Sequence, residues 1–331
     1  MNVRWVSAFV AIVAFLLGVR FWKPSEADGS AAIRNTPPTK ILGSKIHWID
    51  QVRYLAIPEI SKSLNLQVTS NTQKKVVAKK GGATVTLLAG KDYLTYQNSN
   101  LFLRHPIKND KGEILLSYDD YFEILVPLLA LNLVEKKTTI PKTITIDPGH
   151  GGKDAGASNT RLNLKEKDVT LSVAQKLKAE LIKKGYNVKL TREKDEQKEL
   201  KDRPLIAKGS DLFISIHANS ASSNQASGTE VYTLKRGSSF LGNAQDSWNL
   251  IAGYSILSAL DTSAELINRG VKMAEFAVLK SLNCPGVLIE LGFINNDTEA
   301  KKLADPQFQN KFVQGIIAGI EKYKSIVTEH K

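Results

Sequence analysis

TITIDPGHGGKDAG, Thr143–Gly156, runs an alternating apolar strand into an Asp-Pro step and four glycines around one histidine. Glycine-rich turns after strands often cradle phosphate through backbone N–H groups. This turn, however, lacks the Gly-Lys-Ser/Thr ending of a phosphate-binding loop and the spacing of a dinucleotide fingerprint. A histidine at its centre points instead to a metal, provided the rest of the chain supplies partners.

Outward from this stretch, strands and helices alternate, which argues for an α/β domain with a mostly parallel central sheet flanked by helices. A helix is expected from about Asp168, with Leu171, Ala174, Leu177 and Leu181 on one face and Gly185 as its stop. YNVKLT reads as a strand and the segment up to Lys208 as a helix closed by Gly209. Pro204, directly after Arg203, makes that helix start late or kink. DLFISIH and GTEVYTL read as strands, Ala244–Leu260 as a helix, and FAVL and GVLIEL as strands. The last helix is expected to open on Asp305 as cap and Pro306 in its first turn, then to repeat Phe308, Phe312, Ile316 and Ile320.

Three polar residues then occupy equivalent places. His150 follows TITID, His217 ends LFISI and Glu290 ends GVLI. In a largely parallel sheet these strand ends share the carboxyl edge, where open α/β sheets bind ligands. A single strand-end histidine is usually structural, but a carboxylate amid VLIELGF costs several kcal/mol to bury without compensation. Two histidines and one carboxylate plus water form the donor set of catalytic zinc sites. LKEKDVTL offers Glu166 and Asp168 as the third ligand. Asp168 is explained as the N-cap of the following helix, which leaves Glu166 as the better candidate.

TITIDPGHGGKDAGA, LKEKDVTLSVAQKL, Thr191-Arg192, Leu200 with Arg203, DLFISIHANS, GTEVY, RGVK and GVLIELGFINN occur in that order. Together they resemble the catalytic domain of zinc-dependent N-acetylmuramoyl-L-alanine amidases, over about residues 142–325. The resemblance implies one Zn²⁺ held by His150, Glu166 and His217, with Glu290 as the catalytic glutamate. It implies cleavage of the amide joining N-acetylmuramic acid to the L-alanine of the peptidoglycan stem, in wall remodelling or daughter-cell separation. Asp147 and Asn219 are then candidates for orienting substrate or supporting the ligands, and the glycines of the turn read as clearance for a bulky polymer. Two alternatives stay open: a catalytically inactive peptidoglycan-binding protein on the same scaffold, and a zinc peptidase or deacetylase acting on another bond of the polymer.

Before this domain, residues 41–135 carry short strand candidates (KKVVAKK, ATVTLLAG, YLTYQNSNLFL) between two apolar strand-plus-helix pieces built around Pro58 and Pro127. This small α+β arrangement is similar in pattern to the N-terminal-like domain of copper amine oxidases, which implies a binding or spacing module. His47 and His105 are far apart there and lack companion ligands. Glu135–Thr143 is the candidate boundary.

The N-terminus places an apolar run from Trp5 to Val19 between Arg4 and Arg20. Residues 1–22 therefore read as a signal peptide or membrane anchor, and residues 23–40 as a linker. The expected location is exported: periplasm or cell envelope, with membrane contact only through residues 5–22. Cys284 is the single cysteine, so neither an internal disulfide nor a cysteine zinc cluster is available. The net charge of +12 is scattered; it fits solvated helix faces, or attraction to a polyanion such as a wall polymer. No RNA-binding aromatic signature or zinc-finger spacing supports nucleic acid. The segment KRGSSFLGN is too short to carry an autoinhibitory helix, so control is expected elsewhere, in the first domain or through an unidentified protein activator.

Overall fold

In the computed structural model, residues 45–137, 139–236, 243–264 and 267–330 are described. The apolar segment and linker expected over residues 1–40 lie outside them, as do residues 237–242 of the short loop before Ala244.

The first region opens with β1 (Ile46–Ile49) and β2 (Val52–Ala56), then α1 (Ile57–Leu64). Strands β3 (Gln67–Asn71), β4 (Lys75–Lys80), β5 (Ala83–Leu88), β6 (Tyr93–Tyr96) and β7 (Ser99–Phe102) follow as an antiparallel meander. Then come β8 (Lys108–Asp110), β9 (Glu113–Ser117), and a helical run of α2 (Tyr118–Asp120), a π-helical turn (Tyr121–Leu125) and α3 (Val126–Leu129). Pro58 and Pro127 each sit in the first turn of a helix, where a missing N–H costs no hydrogen bond.

The second region contains β10 (Thr143–Pro148), β11 (Ser158–Asn159), β12 (Leu164–Lys165), α4 (Glu166–Lys183), β13 (Asn187–Leu190), α5 (Arg203–Ile206) and β14 (Leu212–Asn219). It continues with β15 (Thr229–Leu234), α6 (Ala244–Ala264), β16 (Asn268–Ala274), α7 (Ala277–Lys280), β17 (Gly286–Phe293), α8 (Asp297–Ala304) and α9 (Pro306–Glu329). Strands β13, β10, β14 and β17 are parallel, and β15 enters antiparallel to β17. The mostly parallel α/β architecture read from the sequence is thus present.

One eleven-stranded sheet runs through both regions in the order β13-β10-β14-β17-β15-β16-β7-β6-β5-β4-β3. The junction is β7 against β16, parallel, with Leu101 opposite Val271. Asn268 Nδ2 donates to Ser99 Oγ there at 3.0 Å. Gly270 has a positive φ, and its Cα lies so near the Asn100 carbonyl that no side chain fits between the strands. The described residues accordingly pack as one compact unit, with the stretch between the two regions a junction in sequence rather than a break in the sheet.

One face of the sheet is apolar throughout. Ile146, Ile214, Ile289, Val231, Val271, Leu101, Leu94 and Val76 all belong to a single core cluster under α4, α6 and α9. Helix α6 is buried between the sheet and α9, and Gly319 lets α9 approach the Ile256 backbone closely. Helix α9 begins as expected: Asp305 Oδ1 accepts from Gln307 N–H at 2.9 Å, with Pro306 next and Phe312, Ile316 and Ile320 buried. Cys284 packs in a smaller cluster with Phe213, Val278 and Leu288, and burial pushes its thiol up to about 11. Among the described residues, no helix is long and apolar enough to cross a membrane.

Three local expectations are corrected. FAVL is not a strand: Ala277–Lys280 is a helical turn that sets Val278 and Leu279 into the smaller cluster. Four apolar residues carry too little periodicity to separate the two states. The helix expected up to Lys208 shrinks to Arg203–Ile206, because Arg203 is drawn inward to Asp147. Finally, α4 starts at Glu166 with Lys165 at its cap, so Asp168 caps nothing and stays exposed.

Candidate active site

Strand β10 ends in Asp147 and Pro148, and the chain then turns sharply: His150 adopts φ +62° and Gly151 φ +128°. The turn is held by arginines. Arg192 donates to the carbonyls of Pro148 (3.1 Å), Gly149 (2.9 Å) and Lys167 (2.8 Å). Arg203 donates to the carbonyls of Pro148 and His150, each at 2.9 Å, and to Asp147 Oδ1 at 2.8 Å. Asp147 also accepts from Thr191 Oγ1 at 2.5 Å and Ser215 Oγ at 2.7 Å, and it is fully buried. It is therefore an internal anchor that fixes the turn from below.

The glycines serve the same packing. A Cβ on Gly149 would lie 2.6 Å from His217 Nε2, and one on Gly156 would lie 2.6 Å from Glu166 Oε2 and from His150 Cδ2. A Cβ on Gly152 would meet the Gln197 amide nitrogen at 2.7 Å. The reading of these glycines as clearance for polymer is thus corrected: they admit the imidazoles and the loop of residues 196–197.

His150, Glu166 and His217 converge, with one ligand atom from each lying within 4.8 Å of the others. Among the described residues this is the single group of its kind. Glu166, at the start of α4, receives His217 Nδ1 at 2.9 Å and Ala218 N–H at 3.0 Å on Oε1, and Ala157 N–H at 2.8 Å on Oε2. His150 Nε2 stands 3.1 Å from the same Oε1. The imidazoles meet edge to face at 5.0 Å between centroids. Burial works against ionising Glu166, yet the two histidines hold its carboxyl well below the usual range. Burial likewise opposes the charged form of His150, but Glu166 and Asp154 push its pKa up to about 9.

This donor set fits a zinc ion. Two imidazole nitrogens and a carboxylate oxygen are its preferred ligands. His150 Nδ1 is engaged by Asp154 Oδ2 at 2.8 Å, the carboxylate–imidazole pairing that orients metal-binding histidines. A cavity of about 230 Å³ opens beside the group, bounded by His150, His217, Gln197, Leu200 and Arg203.

Glu290 on β17 lies directly opposite His217 on β14 and opposite Glu230 on β15. It is 9% exposed, and its Oε2 has no hydrogen-bond partner among the described residues. Burial raises its carboxyl to about 7, eased by His217 and reinforced by Glu166 and Glu230. A buried, unpartnered carboxylate oxygen is costly and marks a functional group.

A family model described as N-acetylmuramoyl-L-alanine amidase (Amidase_3) matches residues 144–322, which takes in every one of these side chains. The chain belongs to that family. The amidase domain is 40% identical over 185 residues to the probable cell wall amidase LytH of Staphylococcus saprophyticus. That alignment covers 56% of this chain and 59% of LytH, so the chain spans less than two thirds of that relative. Among solved structures, the N-acetylmuramoyl-L-alanine amidase of Clostridium difficile 630 is 31% identical at a TM-score of 0.52, covering 56% of this chain and 97% of that one. The CwlD amidase of Clostridioides difficile, solved with the GerS lipoprotein, is 33% identical at 0.51, covering 56% and 99%.

The roles of three residues in the amidase domain do not follow from the sequence alone. Arg192 and Arg203 stand in the ordered motifs without a stated function, although a buried Asp147 before a glycine turn calls for cations. Glu230 carries no signal of its own within GTEVY. It is 2% exposed and accepts from Arg269 Nε and Lys272 Nζ at 2.6 Å each, Tyr232 Oη at 2.7 Å and Asn219 Nδ2 at 3.1 Å. Asn219 thus faces Glu230, beside the strand that carries Glu290.

Proposed function

We propose that this protein hydrolyses the amide bond between N-acetylmuramic acid and the L-alanine of the peptidoglycan stem, with one Zn²⁺ held by His150, Glu166 and His217. The observation that carries the reading is the Glu290 carboxylate oxygen, without a partner among the described residues, beside the His150–Glu166–His217 group. When bound, the ion would polarise the scissile carbonyl and acidify water towards neutral pH.

The chain's own residues supply the rest. Asp154 holds the His150 ring by Nδ1 and leaves Nε2 for coordination. Glu166, kept ionised by its neighbours, has its Oε1 beside both His217 Nδ1 and His150 Nε2, so these three atoms are the ones that would turn to the ion. Glu290 takes the proton of the attacking water on its free oxygen and returns it to the leaving amine of L-alanine. A carboxyl near 7 suits both halves of that transfer at neutral pH. Asp147 acts indirectly, by anchoring the turn that carries His150, and Asn219 by holding Glu230.

The region of residues 41–135 is read as an accessory module, and residues 5–22 as the membrane anchor or signal of an exported protein. Purified sacculi incubated with the zinc-loaded protein should release stem peptides beginning with L-alanine. Glu290→Ala should abolish release while zinc still binds. Binding to sacculi without any release by the unaltered protein would make it a wall-binding protein. Fragments cut at another bond would make it a peptidase or deacetylase.

A further inference from the structure

The catalytic face of the sheet does not stop at the amidase domain. Side chains on paired positions share a face, so His217, Glu290 and Glu230 lie on one side of β14, β17 and β15. Tyr232, two residues beyond Glu230, faces the same way and pairs with Lys272 on β16. Because Leu101 sits opposite Val271 and points into the core, Phe102 on β7 shares the face of Lys272. Tyr93 on β6 pairs with Phe102.

These side chains touch in series across the junction of the two regions. Lys272 Nζ lies 5.8 Å from the Tyr232 ring centroid and 5.1 Å from that of Phe102. The Phe102 and Tyr93 centroids are 5.7 Å apart. A cavity of about 210 Å³ sits at this seam, walled by Phe102, Arg104, Tyr232, Lys235, Lys272 and Met273.

The cations of the seam are unequally matched. Arg104 is paired with Glu123 and lies near Asp119, Asp120 and Asp246, whereas Glu230 takes both Arg269 and Lys272. Lys235 is exposed, and its acidic neighbour Glu275 is engaged by Lys280 at 3.0 Å. Cations over aromatic walls favour a carboxylate attached to an apolar chain. Lys272 on β16 is two strand steps from Glu290 on β17, about 10 Å, and two residues further along the strands, about 7 Å, which makes about 12 Å in all. An extended peptide covers that span in about four residues.

We propose that the seam cavity is a subsite for the C-terminal carboxylate of the stem peptide, completed by Phe102 and Arg104 of the first region. The inference rests on the amidase reading, since that reaction places the stem on the leaving side of Glu290. In this arrangement the accessory module is a wall of the substrate site, and it selects stems by their terminal charge.

The test is direct binding of a free stem tetrapeptide to the full chain by calorimetry, with the C-terminal acid compared against its carboxamide. The acid should bind at least about tenfold more tightly, the size of one charge-assisted hydrogen bond. Lys235→Glu should shrink that difference below about twofold, and Phe102→Ala should weaken both peptides. Equal binding of acid and amide, or a preference that survives Lys235→Glu, overturns the subsite. Release of stem peptides from sacculi is scored separately. Cleavage without a carboxylate preference defeats the subsite alone, whereas a preference without cleavage defeats the amidase reading alone.

Discussion

Gly149 and His217 are packed so closely that a Cβ at position 149 would stand 2.6 Å from the imidazole Nε2. The turn and the strand end are therefore fitted to one another through a missing side chain. Gly149→Ala should push the His217 ring away from Glu166 and leave the core untouched. We expect zinc affinity to fall by about 10–100-fold, the usual cost of disturbing the support of a ligand. Competition with a chromogenic chelator measures this, and circular dichroism should show an unchanged fold.

Glu290 couples activity and stability in opposite senses. Its carboxyl is raised from 4.5 to about 7 in the folded protein, so the folded state holds the proton more tightly than the unfolded chain. The stabilisation is fully present below about pH 4.5 and disappears as pH rises through about 7. In metal-free protein Glu290→Gln should remove that slope, worth up to about 3 kcal/mol at neutral pH. Denaturant unfolding at pH 5 and pH 8 reads it out. The same variant should lose about 10²–10⁴-fold in peptide release.

Asp147 and Arg203 form a buried ion pair at 2.8 Å, with side-chain exposures of 0% and 4%. Arg203→Met strands the carboxylate and should cost about 3–5 kcal/mol in thermal or denaturant unfolding. Asp147→Asn added to it should recover part of that loss. Full additivity of the two substitutions would mean that the pair is not coupled.

Residues 142–331 in isolation would lose β7 and leave β16 as a bare edge of the sheet. Trp248 would also lose the Glu135 carbonyl that its Nε1 donates to at 3.2 Å. Such an edge invites pairing with another copy. Sedimentation velocity should show concentration-dependent self-association for this fragment and not for the chain beginning at residue 41.

The parallel sheet and its final helix were legible because their signals are local and redundant. Asp305-Pro306 followed by Phe312, Ile316 and Ile320 reports cap, first turn and buried face together. His150, His217 and Glu290 were legible as strand ends, since a run of buried Ile and Leu has no other reason to finish in an ionisable group. The capping argument that favours Glu166 in the sequence fails in detail, because Asp168 is exposed and caps nothing. What placed Glu166 is the convergence of His150, His217 and two backbone amides on its oxygens. Such partners are up to 52 residues away in the chain, where no periodicity reaches. The continuity of the eleven-stranded sheet across the two regions is invisible for the same reason: Leu101 and Val271 carry no mark of being neighbours.

The arginine clamp beneath the turn has a consequence for how the enzyme is supplied. Arg192 and Arg203 tie down the carbonyls of residues 148–150 using protein groups alone, so the loop keeps its shape whether or not an ion sits above it. Loading is then an exchange at a ready-made socket rather than a folding event, unlike small zinc-dependent domains that collapse when emptied. On the proposed zinc-amidase reading, an exported chain would travel empty and be charged on arrival, and the fraction at work would follow the free zinc of its surroundings.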